Sequence, residues 1–122
     1  MSRSLSSLLS PNEYNAVLRF VELLYERYPG QIREAMLFGS KARGDSRPGS
    51  DIDILIVVDS DDWRLRHAIS TVAAGVSLEH DVLIGSLVIS LNRWRHMGER
   101  HASLYERITA EGVPLSRTAT VP

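Results

Sequence analysis

Leu37-Phe38-Gly39-Ser40-Lys41-Ala42-Arg43-Gly44, followed after a polar stretch by Ser50-Asp51-Ile52-Asp53-Ile54-Leu55-Ile56-Val57-Val58, decides how this chain folds. Past its two acids, the second segment is β-branched and apolar on both faces, the pattern of a central strand covered on both sides. Side chains alternate along a strand, so Asp51 and Asp53 point the same way at its entrance. Just upstream, Glu34 to Phe38 is a short apolar run stopped by Gly39, which reads as a neighbouring strand. Residues 40–43 have the length of one helical turn, and Gly44 to Ser50 is a polar loop carrying Pro48 and Gly49.

Working outward, Ser10-Pro11-Asn12-Glu13 is a helix start, with a serine cap, proline at the first helical position and glutamate closing a capping box. Tyr14, Val17, Leu18, Val21, Leu24, Tyr25 and Tyr28 follow at helical spacing, predicting an amphipathic helix over about 11–28 that Pro29-Gly30 ends. On the other side, Asp59-Ser60-Asp61-Asp62 opens a helix running to about Val76, since acids favour helix N-termini. Its stripe is Trp63, Arg66, Ile69, Val72, Ala73 and Val76. Asp81 to Ile84 reads as a third short strand. Ser90 caps a helix bearing Leu91, Trp94 and Met97, and a last helix near Ala102 to Ala110 is closed by Gly112. Trp63 and Trp94 read as core or interface. The order helix, strand, strand, helix, strand, helices predicts an α/β (α+β) fold, a small sheet flanked by helices.

The 122 residues suit a single domain over 1–122, its core at about 32–115. Apolar and charged fractions of 43% and 24% are ordinary for a globular chain, and a net charge of −1 gives no field toward nucleic acid or anionic lipid. The absence of cysteine excludes disulfides, thiolate chemistry and cysteine-based metal sites. No apolar run approaches the roughly 20 residues of a membrane-spanning helix. Met1 to Ser10 lacks the apolar core and cleavage site of a leader, so a cytoplasmic location is expected.

Asp51 and Asp53 on one face repel each other and resist burial unless a cation lies between them. A hard divalent cation with oxygen ligands fits that need. A glycine at the turn after a strand lets a phosphate approach the backbone, and the N–H groups of the next turn face the anion. Ser40 adds a hydroxyl; Lys41 and Arg43 add positive charge. Holding two ions requires a third carboxylate, for which Asp81 is the candidate. The residues alone also allow a plainer reading, with both acids solvent-facing at a strand end and Gly39 a chain reversal. The four histidines form no i, i+4 pair, which with no cysteine argues against zinc. His80 adjoins Asp81 and could orient the site. Asp59, Asp61 and Asp62 lack the glycine and closing glutamate of a calcium loop and read as helix capping.

Taken together, Leu37-Phe38-Gly39-Ser40-Lys41-Ala42-Arg43-Gly44, the ten-residue spacer and Ser50-Asp51-Ile52-Asp53 resemble the signature of the DNA polymerase β-like nucleotidyltransferase superfamily, and most closely its minimal nucleotidyltransferase branch. The ending Leu104-Tyr105-Glu106-Arg107-Ile108 and Glu111-Gly112-Val113-Pro114-Leu115 is similar to the way such domains end. The resemblance implies the polymerase β-like fold over about 32–115. It implies that Asp51, Asp53 and Asp81 are catalytic metal ligands holding Mg²⁺, two ions in all. Gly39, Ser40, Lys41 and Arg43 would bind the triphosphate of ATP. An acceptor hydroxyl would attack the α-phosphorus and release pyrophosphate. With no room in 122 residues for a second, acceptor-binding domain, the resemblance implies a stand-alone antitoxin that transfers AMP to a HEPN-domain ribonuclease toxin, alone or in a homo- or hetero-oligomer, with no membrane or direct nucleic-acid partner. The alternatives are a non-catalytic binding antitoxin and a small-molecule nucleotidyltransferase with its acceptor site at a dimer interface.

Overall fold

The computed structural model describes residues 4–115. Residues 1–3 and 116–122, part of the single domain expected over 1–122, lie outside the described residues. After a short helix α1 (Leu5–Leu8), α2 (Pro11–Arg27) begins at the expected capping box, with the Ser10 side chain on the Glu13 amide and the Glu13 side chain on the Ser10 amide. Next come β1 (Ile32–Phe38), the one-turn helix α3 (Gly39–Arg43), β2 (Ile52–Val58) and α4 (Trp63–His80). The chain continues with β3 (Ile84–Ser90), α5 (Leu91–Glu99), α6 (Ser103–Glu111) and the two-residue β4 (Val113–Pro114).

The four strands form one mixed sheet in the order β3-β2-β1-β4. β1 runs antiparallel to β2 and β4, and β2 runs parallel to β3 through the α4 crossover. Strand β2 is central and carries the all-apolar pattern that predicted it: Ile54 to Val57 are fully buried. Ile52, Ile54, Ile56 and Val58 face a core shared with α2 and α4, including Val17, Phe20, Leu24 and Ile69. Leu55 and Val57 face a second core with Met36, Ile89, Trp94 and Ile108, roofed by α5 and α6. Each such buried aliphatic side chain stabilises the fold by roughly 1.5–3 kcal/mol. No helix among the described residues is long and apolar enough to cross a membrane.

Two expectations need correction. The third strand is not Asp81 to Ile84. Helix α4 continues past Val76 to His80, and Asp81 is its C-cap at φ 54, a left-handed residue that turns the chain. Buried Ser77 fixes this exit: its hydroxyl donates to the Ala73 carbonyl at 2.7 Å and accepts the Ile84 amide at 3.0 Å. β3 therefore starts at Ile84 and runs to Ser90. Trp63, placed on the α4 stripe and read as core or interface, lies outside the core, which leaves the interface half of that reading. It is 60% exposed, with the Arg64 guanidinium 5.0 Å from its ring, whereas Trp94 is buried as expected.

Candidate functional site

The site lies where β1 and β2 end side by side. In the sheet register Asp53 sits between Phe38 on β1 and Gly85 on β3. Strand alternation turns Asp53 toward the α5/α6 side, in the same column as Leu55 and Val57. Asp51 is exposed just before the strand, and Asp53 is half-buried. Burial, then the neighbouring Asp51 charge and Glu111, raise the Asp53 carboxyl above its ordinary value, while Arg43 opposes them. Such a pair calls for a cation.

Gly39 is where the turn meets the carboxylate. Its φ is +77, and a Cβ built there would lie 2.3 Å from Asp53 Oδ2. Both facts require glycine: the left-handed backbone and the lack of space. The strand end is thus pressed against the acid, with α3 starting at the same residue. Phe38, the N-cap of α3, supplies no side-chain cap to the helix N–H groups. Ser40 follows in the first turn, half-buried, and its carbonyl accepts the Gly44 and Asp45 amides at 3.0 and 3.1 Å, closing the loop.

Glu111 is a site residue that sequence reasoning did not single out. Its Oε1 accepts the Gly39 amide at 3.0 Å, and both its oxygens accept Arg43 Nη1 at 3.2 Å. Arg43 Nε also donates to Asp45 Oδ2 at 3.2 Å. Arg43 therefore braces the loop and ties the end of α6 to α3. The only signal for Glu111 in the sequence was its place in the Glu111-Gly112-Val113-Pro114-Leu115 ending.

Lys41 has a different place from the one its charge suggested. Its side chain is buried, and Nζ pairs with Glu13 Oε2 at 2.6 Å. Burial works to raise the Glu13 carboxyl, but the Lys41 hydrogen bond and charge, with bonds from the Ser10 amide and hydroxyl, outweigh it and hold it lower. Lys41 thus locks α3 to the start of α2, its charge balanced by a partner on the other face of the turn.

Asp81 does not join the sheet carboxylates. As the exposed cap of α4 it lines a cavity with Ser10, Asn12, Glu13 and Ser50, at the start of α2. The adjoining His80 carbonyl accepts the Asn12 side-chain amide, and its ring lies 3.6 Å from Glu79. Asp53 faces the α5/α6 side, so the sheet separates the two. Charges acting on Asp53 come from Asp51, Arg43 and Glu111. Gly39, Arg43, Asp51 and Asp53 are brought together; Lys41 and Asp81 are directed elsewhere.

Comparison with known proteins bears on the family and the fold. The family model described as the nucleotidyltransferase domain matches residues 17–107. A Methanocaldococcus jannaschii protein, provisionally named a protein adenylyltransferase, is 54% identical over 50 residues, which are 41% of this chain and 50% of that protein. The chain thus spans about half the length of this curated relative. A solved structure provisionally described as a minimal nucleotidyltransferase aligns at TM-score 0.54 and 26% identity, over 93% of this chain and 97% of that one. The toxin–antitoxin structure of MntA and HpeT aligns at TM-score 0.54 and 21% identity, over 80% of this chain and 70% of that one, a likeness of fold. A toxin–antitoxin structure with AMP-PNP aligns at TM-score 0.53 and 22% identity, over 82% and 69%.

Proposed function

We propose that this chain, which belongs to the nucleotidyltransferase domain family and is a nucleotidyltransferase, transfers AMP from ATP to a hydroxyl of a partner protein with Mg²⁺, and acts as the antitoxin to a HEPN-type ribonuclease toxin. The observation that carries the reading is the contact of the Gly39 turn with Asp53. A left-handed glycine serves any chain reversal, and a Cβ at Gly30 or Gly49 would meet nothing within 4 Å, whereas Gly39 is a left-handed glycine pressed against a strand carboxylate. It suits a place where phosphate and metal meet the backbone.

The donor set fits a hard divalent cation: two carboxylates, one of them half-buried and destabilised by the other's charge. Asp51 and Asp53 would hold Mg²⁺, which when bound neutralises the triphosphate and polarises the α-phosphate. Ser40 and the N–H groups of α3 would receive the terminal phosphates. Arg43, held by Asp45 and Glu111, keeps the loop shaped while presenting charge nearby. The acceptor oxygen forms a bond to the α-phosphorus, the bond to the bridging oxygen breaks, and pyrophosphate leaves with that electron pair. Positioning and charge neutralisation supply the acceleration, as in other phosphoryl transfers. A cytoplasmic location belongs to the same reading.

The name of the Methanocaldococcus relative supports a protein acceptor, and the toxin–antitoxin neighbours support a toxin as that protein. A second reading, neutralisation by contact alone, is favoured by one feature: no carboxylate stands beside Asp53 on β3. One experiment decides between them. The chain is incubated with α-labelled ATP, Mg²⁺ and the product of its neighbouring gene, alongside Asp53→Ala. Label on the partner with wild type only supports transfer. No label, or equal label with both, ends the catalytic proposal. Stoichiometric neutralisation by an Asp51→Ala/Asp53→Ala variant selects the contact reading.

A further inference from the structure

The sheet register fixes which residues can stand beside Asp53 on its own face, and neither supplies a ligand. Phe38 on one side is a hydrocarbon, and Gly85 on the other has no side chain. Glycine is not demanded at position 85 by the backbone, because its φ lies outside the left-handed region. Nor is it demanded by crowding: a Cβ there would meet only Asp53 Oδ1, at 3.4 Å, an ordinary contact. The position has room for a side chain and points it at the Asp53 carboxylate.

No other acid compensates. Asp81 caps α4 on the far side of the sheet. Glu111 is close enough to act on Asp53, yet Arg43 and the Gly39 amide already engage its oxygens. Among the described residues no group of three histidine, cysteine or acidic side chains is arranged to hold a metal. Two divalent ions about 3.5–4 Å apart repel strongly and need bridging carboxylates on both sides. Asp51 and Asp53 provide the ligands for one.

We infer that this site holds one divalent ion with its nucleotide, not two, and that the glycine at position 85 sets that number by withholding a third carboxylate. The inference rests on the nucleotidyltransferase reading above. It departs from the two-ion expectation, and it means that the acceptor proton leaves to water or to a group the acceptor brings, not to a carboxylate on β3.

The test counts Mn²⁺ bound per chain at saturating non-hydrolysable ATP analogue, by equilibrium dialysis with electron paramagnetic resonance of the bound ion. Wild type is expected to hold one Mn²⁺ with an uncoupled spectrum. Gly85→Asp is expected to hold two, with the broadening of a coupled pair. Two tightly held ions on analogue-loaded wild type overturn the inference. So does a folded, analogue-binding Gly85→Asp that gains no ion. If Gly85→Asp fails to fold by circular dichroism, the wild-type count decides alone. Wild type that binds no analogue defeats the nucleotidyltransferase reading itself, and the inference with it; that outcome is distinct from analogue bound with two ions.

Discussion

Replacing Gly39 by alanine strikes the contact on which the site depends. An alanine at φ +77 sits in the left-handed region, which costs roughly 1–2 kcal/mol. Its Cβ would begin 2.3 Å from Asp53 Oδ2, roughly 1 Å inside an ordinary carbon–oxygen contact. Either the turn or the carboxylate must move by that amount, and an off-rotamer Asp53 costs about 0.5–1.5 kcal/mol more. The expected loss of stability is therefore about 1.5–3.5 kcal/mol, read from urea denaturation midpoints. Activity should suffer more than stability. A shift of about 1 Å in a group that positions reactants can lower the rate about 100-fold, read by label transfer from ATP. Gly85→Ala is the matched control: it touches the same carboxylate at 3.4 Å without left-handed strain, and should change stability by less than about 1 kcal/mol. A Gly39→Ala variant with wild-type stability and transfer would refute the cradle argument.

Other perturbations have signs that the structure fixes. Lys41→Met takes the ion-pair partner from half-buried Glu13, leaving it only its Ser10 bonds, and should cost about 1–3 kcal/mol in chemical denaturation; adding Glu13→Gln should recover much of it. Glu111→Ala removes the acceptor of the Gly39 amide and the Arg43 partner. A loss of about 1–2 kcal/mol and weaker ATP-analogue binding are expected, by denaturation and calorimetry. The raised Asp53 carboxyl means the folded chain holds a proton more tightly than the unfolded chain, so stability falls as pH rises from its ordinary value of 3.8 through the raised one. Asp53→Asn should therefore stabilise the metal-free protein at neutral pH, with the gain vanishing below that window, as thermal melts across pH will read.

Much of this was legible in the sequence because local rules and global packing agree. The Ser10 to Glu13 capping box, the apolar run of β2 and the Gly39 turn each specified their structure within the chain's nearest neighbours. What escaped depended on register and on distant partners. Asp81-Val82-Leu83-Ile84 has a strand's composition, yet the Ser77 hydroxyl bonds that end α4 place the strand three residues later. Gly85 stands second in that strand, opposite Asp53 of β2, a pairing that only the sheet register reveals. The engagement of Lys41 with Glu13, and of Glu111 with Gly39, joins residues far apart in sequence, which no periodicity reports. That Asp51 and Asp53 share a face could be read from alternation alone, whereas the absence of a neighbouring ligand on β3 could be read only from the sheet.

The central claim is that Asp51, Asp53 and the Gly39 turn form one metal–nucleotide site. Calorimetric titration of the chain with ATP, with Mg²⁺ and with excess chelator, tests it most directly. The account predicts saturable one-to-one binding that requires Mg²⁺ and is abolished by Asp51→Ala/Asp53→Ala in a variant that still melts cooperatively. ATP binding that ignores both the metal and the two carboxylates would contradict it.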